Sequence, residues 1–455
     1  GSTDITFTEN VEKRFKSQNW NVINVEDGYN MAEVDKAIRK AKKSEDGPTI
    51  IIVKTHIGYK SSKQDSNKAH GEPLSPEEVM KTRENLGWQN KEAFYIPDEI
   101  KEYFKKISTK KSKSFKKWIK KLEEYKIKYP QDYQKFENFL NMVSDIKIEA
   151  DFEKEIATRE ASYKILNLIA DRAEYLYGGS ADLAPSTKTK IDLYTERNFH
   201  FGIREHAMGG IVNGITLHGG IRAFCSTFLV FLDYMKTPIR LASMMKIAPI
   251  FIFTHDSIAV GEDGPTHQPI EHIMSLRLIP DLIAIRPADA FETQKAWEYI
   301  LKTQKTIALL LTRQKVPLLT DYKKSVFDNF EKGAYYLIEK ENPDKIIIAT
   351  GSEVHIAIEV SKMLSQEGLN ISVVSMPSYE IFSAQDKNWK EYILKKGVPK
   401  IVIEAGRTQG WSDMLGEKAK VFGVDSFGKS APEKDVYSFF ELTAEKISEK
   451  ILKIS

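Results

Sequence analysis

Between Thr254 and Pro269 the chain reads T-H-D-S-I-A-V-G-E-D-G-P-T-H-Q-P, gathering two histidines, two aspartates, one glutamate and two glycines in 16 residues. The whole protein holds nine histidines, so this local density calls for a chemical reason. Imidazole and carboxylate groups move protons and hydrogen-bond polar ligands, and glycines let the backbone turn tightly between them. Just upstream, Ile250-Phe251-Ile252-Phe253 has the composition of a buried parallel strand. Polar groups placed past a strand end are what an α/β sheet presents to a ligand.

Other apolar runs deliver similar groups. Tyr177 is followed by G-G-S-A-D-L-A-P-S, Phe201 by G-I-R-E-H, and Cys225 by Ser226, Thr227, Phe228 and Phe231. Phe253 is followed by His255 and Asp256, and Leu311 by Arg313. Two arginines, Arg159 and Arg313, near an edge with Ser186 and His267 suit an anionic group such as a sugar phosphate. No C-x-x-C, H-E-x-x-H, G-x-S-x-G or Walker A pattern occurs, so zinc hydrolysis, serine hydrolysis and P-loop chemistry have no support. His255, Asp263 and His267 match no standard metal spacing.

The elements that must position these groups alternate strand and helix, the pattern of parallel sheets. Strands are expected at Tyr175 to Tyr177, Phe199 to Phe201, Arg222 to Cys225, Ile250 to Phe253, Leu282 to Ile285 and Ile307 to Leu311. A later unit has strands at Ile346 to Ala349, Ile371 to Val374 and Ile401 to Ile403, closed by an amphipathic helix from Glu433. Near the start, Asn21 to Val25 and Thr49 to Lys54 flank a helix over Met31 to Lys43, a β-α-β piece too small for a domain. Lys101 to Lys128 carries 12 lysines against three glutamates, with Phe115, Trp118, Ile119 and Leu122 on one helical face. It reads as a linker helix packed across domains, because 67 basic and 64 acidic residues leave a net charge of only +3.

With 455 residues, two or three domains are expected. No run approaches the roughly 18 to 20 apolar residues of a membrane span. A single cysteine, Cys225, excludes an intrachain disulfide and fits a reducing, cytoplasmic compartment. Spacing alone gives plain structural readings to several residues. Phe228, Phe231 and Tyr234 read as a core stripe, Glu205 as an ion-pair partner of Arg204, and Arg159 as a helix-surface charge. His206, His218 and His355 read as structural, and Cys225 as a buried strand residue without redox chemistry.

The motifs together resemble transketolase. G-G-S-A-D-L-A-P-S (178–186), F-G-I-R-E-H-A-M (201–208), S-T-F-L-V-F (226–231) and the histidine-rich segment carry the resemblance. So do L-T-R-Q (311–314), A-T-G-S-E-V (349–354), V-S-M-P-S (374–378) and F-G-K-S-A-P (427–432). The resemblance implies three parallel-sheet, doubly wound α/β units, the first incomplete. Residues 1–96 would be the C-terminal remnant of a diphosphate-binding domain and 97–150 a lysine-rich helical linker. A pyrimidine-binding domain would span 151–316, a connector 317–342 and a C-terminal domain 343–455.

The activity implied is transfer of a two-carbon ketol unit from a ketose phosphate to an aldose phosphate via a thiamine diphosphate carbanion. Glu205 would hydrogen-bond the cofactor's aminopyrimidine, Phe231 would stack on it, and Phe228 and Tyr234 would line the pocket. Asp182 and Leu183 would lie against the cofactor, and His70 of H-G-E-P-L would face its reactive carbon and the donor hydroxyls. His255, Arg159, Ser186 and Arg313 would hold the sugar phosphate; Asp263 would read the hydroxyl next to the aldehyde, and His267 would assist at the acceptor oxygen. A homodimer is implied as well.

One departure from the family pattern bears on the cofactor. The G-D-G that supplies magnesium ligands is absent, and the E-D-G triplets at 26, 45 and 262 lack its context. No metal ligand is therefore expected in this chain; magnesium or calcium would be held upstream, in a missing segment or a separate N-terminal fragment. The alternatives are another thiamine-dependent sugar-phosphate enzyme, deoxyxylulose-phosphate or dihydroxyacetone synthase, or a truncated non-catalytic relative.

Overall fold

The computed structural model describes residues 5–142, 145–416 and 418–453. Residues 1–4, at the start of the expected first-domain remnant, and Ile454 and Ser455, at the end of the expected third domain, lie outside the described residues. Two compact units are present, Gly1–Lys121 and Leu122–Ser455.

In the first unit β1 (Asn21–Val25) and β2 (Thr49–Val53) pair in parallel around the helix Met31–Ala41. Asn30 starts that helix, its side chain accepting from the amides of Ala32 and Glu33. His70 sits exposed in a short helix, Lys68–Gly71. The lysine-rich region forms two helices, Asp98–Lys128 and Pro130–Asn141, broken where Pro130 starts the second. Within its own unit the first of these helices leaves Phe115 61% and Trp118 50% exposed.

The second unit is built on two main sheets. A short antiparallel pair, β3 (Glu155–Ala157) with β10 (Lys315–Pro317), accompanies the first of them. That sheet has six parallel strands, β4 (Leu176–Ser180), β5 (Asn198–His200), β6 (Arg222–Phe228), β7 (Ile250–Thr254), β8 (Ile283–Ile285) and β9 (Ile307–Leu311). Their spatial order is β5-β4-β6-β7-β9-β8. The central strands β6, β7 and β9 are buried along their full length; β7 and β9 therefore read as apolar runs, closed in β7 by Thr254, while β6 carries buried Arg222, Ser226 and Thr227 around Ala223–Cys225. Helices cover both faces, and Cys225 lies wholly buried in β6, where desolvation pushes its thiol pKa far up.

The second sheet, ordered β11-β13-β12-β14-β15, comprises β11 (Tyr335–Ile338), β12 (Lys345–Ala349), β13 (Ile371–Ser375), β14 (Lys400–Ile403) and β15 (Ala419–Phe422). All pairings are parallel except that of β11. The stretch expected as a connector thus supplies an edge strand, and the terminal helix is two helices, Glu433–Phe439 and Ala444–Leu452. Buried side chains join the two sheets' layers: Glu292, on the helix Ala290–Lys302, accepts from Tyr335 and Ser375, each at 2.5 Å. Among the described residues no helix is long and apolar enough to cross a membrane.

Candidate active site

The carboxyl ends of β4, β6, β7 and β9 gather most of the expected residues of the second unit. β7 ends in Thr254, and His255 follows with its backbone in the left-handed region, φ 60°. Few side chains adopt that conformation without support from their surroundings. Here the turn swings the imidazole under Phe228, the last residue of β6, with ring centroids 3.6 Å apart.

The Nη1 of Arg159 lies 3.4 Å from His255 Nε2, and Thr254 Oγ1 lies 2.8 Å from Nδ1. A guanidinium only donates, so Nε2 carries the lone pair and Nδ1–H donates to the threonine. Burial, then Arg159, Arg313 and His267, hold His255 far below the usual imidazole range, to about 3. The ring is neutral at physiological pH.

Arg159 stands in the first turn of the helix Thr158–Ile169 and donates Nη1 to the Ser186 carbonyl at 2.8 Å. Its Nε is buried without a partner. Burial lowers its pKa, Glu160 opposes that, and Arg313 adds to the lowering. A half-buried arginine repelled by a second arginine, with one N–H unsatisfied, is an arrangement that an anion would complete.

Phe228 and Phe231 stack with centroids 6.0 Å apart and planes at 12°, and Tyr234 follows at 6.1 Å from Phe231. His267 meets Phe231 edge-on at 5.7 Å and receives a contact from Thr266 Oγ1 at 3.0 Å. The core-stripe reading is corrected. Phe231 is only half-buried and Tyr234 is 63% exposed, because β6 ends at Phe228 and the next residues turn out of the core. The reading of Arg159 as a surface charge fails as well. So does the Glu205–Arg204 pair: Arg204 donates Nη1 to the Phe201 carbonyl at 2.8 Å. Glu205 is 8% exposed and opens the helix Glu205–His218.

Asp182 is exposed at φ 63°, and Leu183 donates its amide to Ser180 Oγ at 3.0 Å. Asp263 is exposed at the end of a short 3-10 helix, Ile258–Asp263. Arg313 is exposed after β9, and His70 belongs to the other unit. His355 is structural in its contacts, its Nε2 3.2 Å from the Ala288 carbonyl. Thr254, whose hydroxyl accepts from His255 Nδ1–H, and Gln268, buried and donating to the Gly261 and Lys429 carbonyls at 2.9 Å, escaped the sequence reading. Both stand inside the histidine-rich motif, where their neighbours drew the chemistry. Among the described residues the three-donor cluster suited to a metal is Asp233, Glu271 and His272, not His255, Asp263 and His267.

A six-stranded parallel sheet whose strand ends carry an aromatic shelf, a buried glutamate and a cationic corner defines a cofactor-dependent α/β enzyme site. The comparisons narrow the class. Residues 1–143 match the family described as transketolase, thiamine diphosphate binding domain, 154–318 the transketolase pyrimidine binding domain, and 333–443 the transketolase-like C-terminal domain. Transketolase of Aquifex aeolicus is 41% identical over 100% of this chain and 68% of its own length. A Pichia stipitis transketolase solved with sedoheptulose 7-phosphate superposes with a TM-score of 0.91 at 33% identity, covering 99% of this chain and 69% of that one. A structure described as a split gene transketolase, inactive beta4 tetramer, matches with a TM-score of 0.56 at 26% identity, over 66% of this chain and 98% of its own. The chain belongs to the transketolase family.

Proposed function

We propose that this chain carries the aminopyrimidine face and the sugar-phosphate wall of a thiamine-diphosphate-dependent transketolase, which moves a two-carbon ketol unit from a ketose phosphate to an aldose phosphate. Bound thiamine diphosphate supplies an acidic thiazolium C–H, and with it the carbon nucleophile that ketol transfer requires. The residues present fit its pyrimidine. Phe231 and Tyr234 offer open aromatic surface beside Phe228, and Glu205 is a largely buried carboxyl at a helix start. In this reading Glu205 hydrogen-bonds the pyrimidine ring, Phe231 stacks on it, Phe228 and Tyr234 line its pocket, and Asp182 and Leu183 lie against the cofactor.

At the sugar end, Arg159, Arg313, Ser186 and His255 hold the phosphate. Asp263 reads the hydroxyl next to the aldehyde, and His267 serves the acceptor oxygen. For His70 the role at the donor hydroxyls rests on the H-G-E-P-L resemblance alone. The division into domains at 96, 150, 316 and 342 is part of the same reading. Magnesium or calcium and the diphosphate would be held by residues outside these 455, in a working homodimer or through a separate N-terminal fragment. A place in pentose phosphate metabolism follows from these substrates, and a cytoplasmic one is proposed from the single cysteine, Cys225.

The observation that carries the reading is the unpartnered, buried Nε of Arg159 beside neutral His255. Arg159→Ala is therefore expected to raise KM for a sugar phosphate by about 10- to 100-fold, the range for loss of one charge-assisted contact. Steady-state ketol transfer in the assembled enzyme measures this. An unchanged KM for the phosphorylated sugar would remove the phosphate from this corner.

A further inference from the structure

Two motifs that carry the family resemblance, A-T-G-S-E-V and F-G-K-S-A-P, contain no residue of the proposed site. The structure shows what they touch. Asp256, next to His255, is fully buried, and Arg286 Nε donates to its Oδ2 at 2.8 Å. Arg286 follows β8, and its Nη1 donates to the Thr350 carbonyl and to Thr350 Oγ1, both at 3.0 Å, and pairs with Glu353.

Glu353 in turn accepts from Tyr437 and Ser352 hydroxyls at 2.8 Å and from the Ala405 amide at 3.1 Å. Arg277 grips Glu404 with two bonds of 2.8 and 2.7 Å, and Thr350 Oγ1 donates to the same carboxylate at 2.6 Å. Gly351, at φ 55°, lets the backbone pass the guanidinium: a Cβ there would stand 2.6 Å from Arg286 Cζ.

The second motif holds the far end of the same segment. Gln268 Nε2 donates to the Lys429 carbonyl at 2.9 Å, and Ser430 Oγ donates to the Glu262 carbonyl at 2.6 Å. A Cβ on Gly428 would fall 1.7 Å from Gln268 Oε1, so only glycine admits this approach. The histidine-rich segment is thus tied to the C-terminal domain through Arg286 at Asp256, and directly at Glu262 and Gln268. A buried ionic network is a poor source of stability against apolar packing of equal volume, but it fixes direction.

We infer that the C-terminal domain is the positioning element of the sugar-binding wall. Through Arg286 and Asp256, Glu353 sets His255 at the phosphate end, and the 428–430 segment sets Asp263 and His267 at the aldehyde end. This rests on the sugar-phosphate reading above. These are positioning residues, so the two ties predict different kinetic signatures.

The test is ketol transfer by the assembled enzyme, with thiamine diphosphate and magnesium, to ribose 5-phosphate and to unphosphorylated ribose. Glu353→Gln should raise KM for ribose 5-phosphate by about tenfold, leaving kcat within about threefold and KM for ribose unchanged. Ser430→Ala, on an exposed residue, should lower kcat/KM for both sugars by about threefold without lowering Tm. If Glu353→Gln does not accumulate, Tyr437→Phe removes one bond to Glu353 and should shift KM for ribose 5-phosphate by about threefold. Wild-type constants in Ser430→Ala and in the Glu353 or Tyr437 variant would overturn the inference. So would losses that fall equally on both sugars in every variant and track Tm. Arg159→Ala is the reference: if it keeps full preference for ribose 5-phosphate, the sugar-phosphate reading fails and takes this inference with it.

Discussion

His255 combines a strained backbone, a fixed tautomer and a depressed pKa of about 3. Its folded value lies below that of an unfolded histidine, near 6.5. Between those values the unfolded chain binds the extra proton, so this residue's contribution to stability is complete above pH 6.5 and is lost as pH falls towards 3. The fall in Tm from pH 7 to pH 5 should accordingly be smaller in His255→Asn than in wild type. An identical fall would show that His255 binds its proton equally well folded and unfolded, as an exposed imidazole does. The histidine-rich motif was legible at once, because residue types announce chemistry. The tautomer was not, since it depends on Thr254 and on Arg159, 96 positions away in sequence.

Among the elements, β7 and β9 were legible because burial on both faces leaves an apolar run, and β6 through its shorter run Ala223–Cys225. β3, β10, β11 and β15 were not. They are short and lie at sheet edges or in a two-stranded pair; β3, β10 and β15 mix charged or half-exposed residues with buried ones, and β11 is only four residues long, so periodicity carries little signal. The stripe Phe228, Phe231, Tyr234 was misread by spacing because helical periodicity cannot show where a strand has just ended. Turns between elements are equally specific. Gly351→Ala places a Cβ against Arg286 at a positive φ, and the expected cost is about 1–3 kcal/mol, read as a lower Tm. Unaltered stability would mean that the loop after β12 can move away from the guanidinium.

Across the molecule, two helices of the second unit each carry exposed apolar side chains. On Glu205–His218 and Leu232–Met244, Ile211, Leu217, Tyr234, Leu241 and Met244 are all more than 40% exposed. Such a face on either side of the aromatic shelf is consistent with the proposed dimer, in which it would be covered. The family was legible from motif order alone, whereas the ties between the histidine-rich segment and the C-terminal domain join residues up to 168 positions apart and needed the fold.

In the proposed function, the aminopyrimidine of thiamine diphosphate binds at Glu205 on this chain. Ketol transfer from xylulose 5-phosphate to ribose 5-phosphate, measured in the assembled enzyme with thiamine diphosphate and magnesium, tests it most directly. Glu205→Ala should reduce kcat by about 100-fold or more while the protein stays folded, the scale of a lost proton-transfer partner. Full activity in Glu205→Ala would contradict the account.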